Sequence, residues 1–580
     1  MNKPISVMMH ESAMKTQPTP PSALVEKILR AAMKTPGLTR QSLSTCMRTV
    51  LSGTPYAFPT VQQLWSEYRA FTAAGILPLD THLERVLRVK DVRTDSGVAP
   101  ITVLTKPYPC PGKCVYCPTE VRMPKSYISS EPAAARALSL KFDPYEQVKQ
   151  RVMTLEKNGH EAKKIELIIK GGTWSAYRWD YRKWFVKRCF DAANELNTDG
   201  ESSDLKKAQK KNEKAGYRII GLTIETRPDW VTAEEIIRLR ELGCTRVELG
   251  VQTLQNDVLA LTKRGHTIEA TIRAVALLKQ VGFKTDFHIL PGQPGSTPEK
   301  DLEDFKQLFS DPSYCPDMIK LYPCVVLPNA ELHAWTKAGR FTPLEGKELK
   351  ELLISMQQVV PRYCRISRLI RDFPENDISY GSKITNLREA LETEMKRRGI
   401  QCQCLRCREV GHVTDIDPNT IRPKLFEEWY ENAGGREVFL SMEDPDRRAV
   451  FAFLRLRLPH TPASIRESEP YRSDKKFITY STKIEQAFPA LKSTAFVREL
   501  HTYGRALDLR STRTDASQHR GYGRMLMEHA EKIAKREGYK KMAVISGIGV
   551  KEYYRTLGYR ERETYMMKKL PCTSLQLPPS

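Results

Sequence analysis

The stretch CPGKCVYCP, residues 110–118, places three cysteines within eight positions, directly after the apolar run ITVLT at 101–105. Neighbouring thiolates can bind zinc, form a disulfide or ligate an iron–sulfur cluster. Structural zinc needs four ligands, usually two cysteine pairs, and only the fold could bring the distant CQCLRC (402–407) close enough to supply the second pair. The spacing C-x3-C-x2-C therefore favours a 4Fe–4S cluster held by Cys110, Cys114 and Cys117 with one iron left open, and zinc is the alternative.

Composition limits the classes to which the protein can belong. Its 580 residues carry a net charge of +23, which favours a polyanionic partner such as nucleic acid over a merely solubilising surface. The chain has thirteen cysteines, an odd number, and six of them lie in two clusters, which indicates a reducing compartment rather than a disulfide framework. The sequence lacks an apolar run of about 18 residues and an apolar signal-peptide core. We therefore expect a cytoplasmic protein without a membrane partner.

Short apolar strands alternate with amphipathic helices between about residues 100 and 330. The strand candidates are ITVLT (101–105), IELIIK (165–170), IIGLTIET (219–226), RVELGVQ (246–252), KTDFHIL (284–290) and MIKLYP (318–323). This alternation predicts an α/β fold with a parallel sheet, and six strands suit a partial (βα)6 barrel. Ligands of such folds bind at the carboxyl ends of the strands, where the cysteine loop lies.

The cysteine loop resembles that of radical S-adenosylmethionine (SAM) enzymes, because Tyr116 precedes the last cysteine and the loop opens a βα series. The amine and carboxylate of SAM can chelate an open iron. Later strand ends offer glycines that let the backbone approach a ligand, and polar side chains. The candidates for SAM binding are Gly171, Gly172 and Thr173 after the second strand, Glu225 and Arg227 at the third, and Gln252 at the fourth.

A second candidate site lies in QHRGYG, residues 518–523, which opens the helical stretch RMLMEHAEKIAKREG. The motif resembles the pyrophosphate loop of GNAT-type acetyltransferases, in which backbone N–H groups at a helix N-terminus bind coenzyme A. The strand KMAVIS (541–546) and the segment GVKEYYRTLGY (549–559) follow it. Tyr553 and Tyr554 are candidates to hydrogen-bond or protonate the coenzyme A sulfur, although one of them can simply be a core residue.

A third cysteine group, Cys402, Cys404 and Cys407, lies in a basic stretch. Three thiolates in six residues favour zinc, with His412 or a distant residue as the fourth ligand, and a second iron–sulfur cluster is the alternative. The other cysteines are isolated, and we expect them to be packing residues: Cys46, Cys189, Cys244, Cys315, Cys324, Cys364 and Cys572.

From about residue 85 to 570 the chain closely resembles the family of the catalytic, third subunit of Elongator. The matching motifs include RTDSGVAPITVLTKPYPCP, SYISSEPAAARALSLKFDPYEQ, GLTIETRPDW, DFHILPGQPGST, IKLYPCVVLPNAEL, CQCLRCREVG, RELHTYG and VISGIGVKEYYRTLGY. The resemblance implies a tRNA carboxymethyluridine synthase that forms 5-carboxymethyluridine at wobble uridine 34. It implies that a SAM-derived radical takes hydrogen from the acetyl methyl of acetyl-CoA. The carbon radical then adds to C5 of a flipped-out uridine, and thioester hydrolysis follows.

The same resemblance assigns further residues and ligands. Lys106 joins the two tyrosines as a catalytic candidate. The implied acetyl-CoA-binding residues are Lys125, Glu499, Leu500, His501, Gln518, His519, Arg520, Gly521, Tyr522, Gly523 and Tyr553. The expected cofactors are a 4Fe–4S cluster, SAM, acetyl-CoA and zinc, and tRNA is the expected partner. A homodimer or other Elongator-type subunits are candidate assemblies.

These patterns divide the chain into five parts. They are a disordered tail (1–22), a basic helical region for tRNA binding (23–90), a radical SAM domain (91–390), a Cys-rich zinc-binding linker (391–434) and an α+β GNAT domain (435–580). The helical region has apolar residues at three- and four-residue spacing.

Two other functions compete with tRNA modification. One is a protein lysine acetyltransferase with a structural iron–sulfur cluster, but no clear glutamate base follows from the sequence. The other is a tRNA scaffold with degenerate sites, against which the complete cysteine loop and the glycine loop weigh.

Overall fold

A computed structural model describes residues 18–88, 97–196, 200–413, 416, 420–503 and 521–571. The chain divides into two compact units, residues 1–93 with 153–161, and residues 94–152 with 162–580. Most of the predicted tail, residues 1–17, lies outside the described residues. Among the helices described, none is both long and apolar enough to span a membrane.

The first unit is helical, as its apolar spacing predicts. Its helices are α1 (Ser22–Met33), α2 (Arg40–Leu51), α3 (Val61–Ala73) and α4 (Thr81–Leu87). Thr39 and Thr60 precede α2 and α3 in capping boxes, where each side chain accepts a hydrogen bond from a backbone N–H that the helix leaves unpaired. The apolar helix faces meet in one cluster that includes the fully buried Leu29, Leu64 and Tyr68.

The second unit contains a parallel sheet whose strands follow one another in sequence order. The strands are β1 (Ala99–Leu104), β2 (Lys164–Lys170), β3 (Arg218–Thr226), β4 (Arg246–Gln252), β5 (Lys284–Ile289), β6 (Met318–Leu321) and β7 (Arg365–Arg368). The accompanying helices are α5 (Pro132–Ser139), α6 (Pro144–Lys157), α7 (Trp179–Glu195), α8 (Leu205–Asn212), α9 (Ala233–Glu241), α10 (Asn256–Leu261), α11 (Ile268–Gln280), α12 (Pro298–Ser310), α13 (Glu331–Lys337), α14 (Gly346–Val359) and α15 (Leu387–Arg397). This confirms the predicted βα series.

All six predicted strands are present, and a seventh strand, β7, extends the sheet beside β6. Its sequence, RISR, contains one apolar residue, so it shows neither an apolar run nor a clear alternation. Pairing with an existing strand edge, rather than burial of its own side chains, explains why this segment is extended.

The inner face of the parallel sheet is polar. Along β5, Lys284, Asp286 and His288 point to the same side, since side chains alternate along a strand. On β2 the side chains at alternate positions from Lys164 to Lys170 are half-buried, while those between them are buried. The apolar set packs against the helices, and the polar set lines the interior of a half-barrel.

A second sheet, of mixed direction, forms the C-terminal part of this unit. Its strands are β8 (Lys424–Glu431), β9 (Gly435–Glu443), β10 (Val450–Pro459), β11 (Thr494–Thr502), β12 (Lys541–Val544), β13 (Arg560–Arg562) and β14 (Tyr565–Lys569), in the order β13-β14-β12-β11-β10-β9-β8. Its helices are α16 (Pro462–Glu467), α17 (Lys475–Ala487), α18 (Tyr522–Arg536) and α19 (Lys551–Thr556). Strands β11 and β12 are parallel, and the other neighbours are antiparallel.

The second sheet packs against the amino-terminal edge of the half-barrel. Asp317, just before β6, accepts a 2.8 Å hydrogen bond from Arg498 of β11, and all atoms of both side chains are buried. Lys284, the first residue of β5, binds Glu499 of β11 at 2.9 Å. Buried charges are tolerated only when they are paired, so these contacts fix β11 against the barrel.

Candidate active site

The cysteine loop follows β1 at the carboxyl edge of the half-barrel. Val115 anchors it, donating to the carbonyl of Thr262 at 3.1 Å and accepting from the N–H of Leu332 at 2.8 Å. Gly112 lies between the first two thiols, and a Cβ there would come within 2.5 Å of Nη1 of Arg227. The loop therefore presents its thiols around a position that requires a residue without a side chain.

Two buried guanidinium groups face the thiols. Nη1 of Arg264 lies 3.5 Å from Sγ of Cys114, and Nη2 donates to the carbonyl of Gly250 at 2.7 Å. The hydrogen bond with Cys117 and the charges of Arg264 and Arg227 lower the pKa of Cys114 to about 4, against the effect of burial. Nη1 of Arg227 and Nε of Arg264 are buried and have no hydrogen-bond partner within the described part of the chain. Unpaired donors beside three thiols fit an anionic metal–sulfur group.

The GGT loop after β2 packs on the cysteine loop. Gly171 has φ +137°, and a Cβ there would lie 2.0 Å from Oγ1 of Thr105. Oγ1 of Thr173 lies 3.5 Å from Sγ of Cys110. The glycines thus let the GGT loop pack closely on the residues that precede the first cysteine, and their role in SAM binding stays a prediction.

Five ionisable side chains fill the half-barrel beneath these loops. Lys170 binds both Glu225, at 2.9 Å, and Glu248, while Nε2 of His288 donates to Glu248 at 2.9 Å. Lys320 also binds Glu248. Oxygen and nitrogen atoms of the two glutamates and the histidine lie within 4.8 Å of one another, a spacing that suits a metal ion. Two ammonium groups already compensate these carboxylates, so the set fits a polar organic ligand better than a further cation.

The other predicted SAM-binding and catalytic residues divide between this site and its surroundings. Arg227 forms a two-bond pair with Asp229 at 2.9 and 3.0 Å and lies against the cysteine loop. Gln252 ends β4 with φ +77°. Lys106 is exposed, with Nζ 5.0 Å from the ring centre of Tyr181.

Lys125 was assigned to acetyl-CoA, but its contacts are in the half-barrel. Its Nζ donates to Oγ1 of Thr119, and its backbone lies 3.9 Å from a Cβ built on Gly172. A role at acetyl-CoA therefore stays a prediction for this residue, and its position beside the GGT loop points to the SAM side of the molecule.

Sequence reasoning missed several residues of this site, namely Lys170, Glu248, Arg264, His288 and Lys320. Glu248 and Lys320 are charged residues within otherwise buried strands. Charged residues are rarely buried without a partner, so their positions could have indicated a functional site. Arg264 lies in the loop after α10 and carried no sequence signal, because only the fold brings it to Cys114.

Two neighbouring parallel strands of the C-terminal sheet, β11 and β12, diverge along their length. Strands β11 and β12 pair only from Thr494 to Val497 of β11, and the register of β11 with β10 shifts between Val497 and Glu499. Beyond that bulge, residues 498–502 have no partner on β12 among the described residues. The diverging strands leave backbone groups available to a ligand at the N-terminus of α18.

The two candidate tyrosines occupy different environments. A Cβ on Gly523 in the first turn of α18 would lie 2.9 Å from Oη of Tyr553, 3.7 Å from Thr502 and 3.8 Å from Leu500. Tyr553 thus lies at the opening between β11 and α18. Tyr554 is 6% exposed and packs edge-on against Tyr559. The geometry favours Tyr553 as the acid and Tyr554 as a core residue.

Of the remaining predicted acetyl-CoA residues, Leu500 lies at the same opening. Glu499 instead binds Lys284 of the half-barrel and accepts from Nε of Arg455 at 2.8 Å, since neighbouring side chains of a strand point to opposite faces. His501 has a buried Nε2 with no hydrogen-bond partner among the residues that the structure describes. Gly521 caps α18 with φ +76°, and Tyr522 follows it. Residues Gln518, His519 and Arg520 lie outside the described residues.

The linker cysteines form a compact group. The Sγ atoms of Cys402, Cys404 and Cys407 lie within 4.8 Å of one another. His412, the suggested fourth ligand, has Nε2 3.8 Å from Glu409 instead. The isolated cysteines predicted to be packing residues are buried at Cys189, Cys244, Cys315, Cys324 and Cys364 and half-buried at Cys46, while Cys572 is outside the described residues.

Family models match three parts of the chain. Residues 108–308 match the Radical SAM superfamily, residues 316–397 the Radical SAM C-terminal domain, and residues 514–559 the Acetyltransferase (GNAT) family. These matches confirm both predicted domain types, the radical SAM half-barrel and the GNAT domain.

Relatives match most of the chain. The chain is 46% identical to tRNA uridine(34) acetyltransferase of Methanocaldococcus infernus, covering 84% of this chain and 88% of the relative. It is 37% identical to human (Homo sapiens) Elongator complex protein 3, covering 83% and 86%. The solved structure of archaeal M. infernus Elp3 with an N-terminal deletion (1–46) has a TM-score of 0.68 and 42% identity, over 82% of this chain and 99% of that one.

Proposed function

Because this chain belongs to the family of tRNA uridine(34) acetyltransferases and Elongator complex protein 3, we propose that it attaches a carbon unit from acetyl-CoA to uridine 34 of tRNA. Its radical SAM domain implies SAM and a 4Fe–4S cluster, and its GNAT domain implies acetyl-CoA. With Cys110, Cys114 and Cys117 as ligands, the cluster and SAM supply a radical when bound. We propose 5-carboxymethyluridine as the product and the cytoplasm as the place of reaction.

The observation that carries this proposal is the polar interior of the half-barrel. At its amino edge, Lys284 of β5 binds Glu499 in the GNAT domain. At its carboxyl edge, His288 of the same strand lies 3.6 Å from Glu225, beneath the cysteine loop. A strand advances about 13 Å over the four residues from Lys284 to His288. A radical and an acetyl group have to meet for this reaction, and charged side chains of β5 lie between the two edges.

The side chains of this interior also suit the chemistry of the acceptor. A uracil base offers an N–H donor between two carbonyl acceptors, and carboxylates alternating with ammonium groups can complement such an edge. Lys170 and Glu225 are half-buried, with 13% and 21% of their side chains exposed, so a flipped-out base can reach them from the mouth of the barrel.

The test is anaerobic reconstitution with tRNA, SAM and isotopically labelled acetyl-CoA, followed by mass spectrometry of the digested nucleosides. We expect labelled 5-carboxymethyluridine only when all three substrates are present. SAM cleavage together with a filled cluster but no labelled nucleoside would reject the proposal. A lysine acetyltransferase would instead label lysine peptides without SAM, an activity that the family membership does not favour.

Tyr553 is the proposed acid for the coenzyme A sulfur. Burial raises the pKa of Tyr553, so its phenol keeps its proton at neutral pH. We expect Tyr553→Phe to lower kcat of tRNA-dependent acetyl-CoA hydrolysis by about 10²- to 10⁴-fold, the usual contribution of general acid catalysis. Tyr554→Phe is the matched control, since it removes the same hydroxyl from the neighbouring core residue and should change kcat little. A larger loss of kcat in Tyr554→Phe than in Tyr553→Phe would assign the acid role to Tyr554.

We propose zinc at the linker cysteines. Three thiolates on one Zn²⁺ with bonds of about 2.3 Å lie about 3.8 Å apart, which agrees with a group confined within 4.8 Å. Elemental analysis should show that Cys404→Ser loses the zinc of the wild type but keeps its iron. Loss of iron instead would identify a second iron–sulfur cluster.

A further inference from the structure

Four aromatic side chains form a ladder beside the cysteine loop. Tyr108 stacks on Tyr177 with ring centres 4.6 Å apart and planes inclined by 28°. Tyr177 stacks in turn on Tyr181 at 5.3 Å and 22°, and Trp184 continues the row at 5.6 Å. Tyr177 is held in place because Oη accepts from or donates to Oγ1 of Thr105 at 2.7 Å. The inner part of the ladder is thus rigid.

Its end at Tyr108 is exposed. Tyr108 is 37% exposed although one of its faces is covered by Tyr177, so the exposure falls on its other face and edge. Pro107 and Pro109 flank it, and each proline fixes its own φ and restricts the residue before it. The ring is therefore presented in one orientation, and an incoming planar group would cost little further ordering.

The surroundings of the ladder are basic. The exposed cations near it in sequence and on α7 are Lys106, Lys113, Arg178 and Lys183. Lys106 lies over the ring of Tyr181, and the exposed acid Asp180 is already paired with Arg178 at 2.9 Å. An aromatic face with exposed cations around it has the composition of a surface that binds unpaired nucleic-acid bases and their phosphates.

We propose that Tyr108 is a stacking platform for an unpaired base of the tRNA anticodon loop next to uridine 34. The inference rests on the proposed function and adds a recognition residue to it. Tyr108 stands two residues before Cys110, so a base stacked there would hold its neighbour at the mouth of the half-barrel. Stacking on a ring is tolerant of base identity, so the platform does not require one particular base beside uridine 34.

An acidic electron-donor protein is the other occupant that such a basic, aromatic surface could take. The ring system itself offers no advantage to it, because a low-potential electron would have to reduce a phenol or an indole on its way, and these rings are donors rather than acceptors of electrons. The stacked arrangement favours a planar base.

The test is the affinity of the reconstituted protein for an anticodon stem–loop RNA carrying 2-aminopurine beside uridine 34. We expect Tyr108→Ala to weaken binding about 5- to 150-fold, the range that base–aromatic stacking provides, and to reduce the change in 2-aminopurine fluorescence. Tyr108→Phe should retain both, since it keeps the ring. Because no cation is removed, the slope of log K against log salt should stay unchanged. Trp429→Ala, which removes an aromatic side chain of equal exposure (38%) from β8, is the matched control.

The outcomes separate this inference from the proposed function. Equal RNA binding by wild type and Tyr108→Ala would overturn the stacking role while leaving tRNA modification intact. Absence of RNA binding by the wild type would count against both. Normal RNA binding with slower cluster reduction by a protein donor would assign Tyr108 to the electron donor and overturn the proposal.

Discussion

Replacement of Cys114 by alanine is expected to abolish SAM cleavage and uridine modification. Cys114 is buried beside Arg264, and its lowered pKa makes it a thiolate, the form that ligates iron. Loss of one of three ligands leaves two thiols, too few to hold a cluster with a single open iron. Iron content, visible absorbance and the yield of 5′-deoxyadenosine are the measurements.

The activities of the two sites should respond differently to Cys114→Ala. Acetyl-CoA hydrolysis depends on the GNAT domain and is expected to survive in Cys114→Ala. Cys189→Ala is the matched control, because Cys189 is a fully buried, isolated cysteine in α7 whose removal creates a similar small void. Modified uridine formed by Cys114→Ala would show that the loop does not carry the radical chemistry.

Replacement of Asp317 by alanine is expected to cost about 3–5 kcal/mol of folding free energy. Asp317 binds Lys279 at 2.9 Å and Arg498 at 2.8 Å, and it lies 3.6 Å from Arg455. All of these side chains are buried, so the variant removes the ion pair of Lys279 at the junction of the two sheets, while Arg498 and Arg455 keep only their second carboxylates, Glu437 and Glu499. A lower unfolding temperature, measured by circular dichroism, is the expected result.

A surface pair provides the comparison. Glu234 pairs with Arg238 one turn along α9, and 70% of its side chain is exposed. Glu234→Ala should cost no more than about 0.5 kcal/mol, since solvent screens exposed pairs. If both variants unfolded at the wild-type temperature, the pairs around Asp317 would not hold the sheets together.

The pH dependence of the Asp317 effect has a definite sign. Burial alone would raise the pKa of Asp317, but the charges of Arg498 and Lys279 hold it well below its usual value. A carboxyl group whose folded-state pKa is depressed contributes stability to the fold above its unfolded pKa of about 3.9. That contribution is lost as the pH falls through the folded-state pKa. The stability difference between wild type and Asp317→Ala should therefore stay constant from pH 7 to about pH 5 and shrink only in stronger acid.

Asp317 also connects stability to the acetyl-CoA site. Arg498 is the residue at the bulge of β11, immediately before Glu499. The pair with Asp317 thus orients the strand segment that diverges from β12. A conservative Asp317→Asn variant, if it folds, should raise KM for acetyl-CoA more than it changes SAM cleavage.

Much of the fold was predictable because its signals are local. Each of these signals lies within a short segment of sequence. They are the spacing of Cys110, Cys114 and Cys117, the series of apolar strands, and the glycines around residues 171 and 521. The polar strand β7 was missed for the same reason, since nothing within RISR demands an extended conformation. Tyr553 and Tyr554 could not be told apart, because adjacent residues on a short helix differ only in what the rest of the molecule places beside them.

The chemistry that the chain carries is already written in local motifs: a three-cysteine loop after a first strand, a glycine-rich loop before a late helix, and an excess of basic residues. The positions of these motifs come from the packing of the two sheets, with the cysteine loop at one edge of the half-barrel and the GNAT domain at the other. The contacts that join them are distant in sequence: Lys284 and Glu499 lie 215 positions apart, and His288 lies 63 positions after Glu225. Such pairs depend on the packing of whole sheets, and local sequence preferences do not encode them.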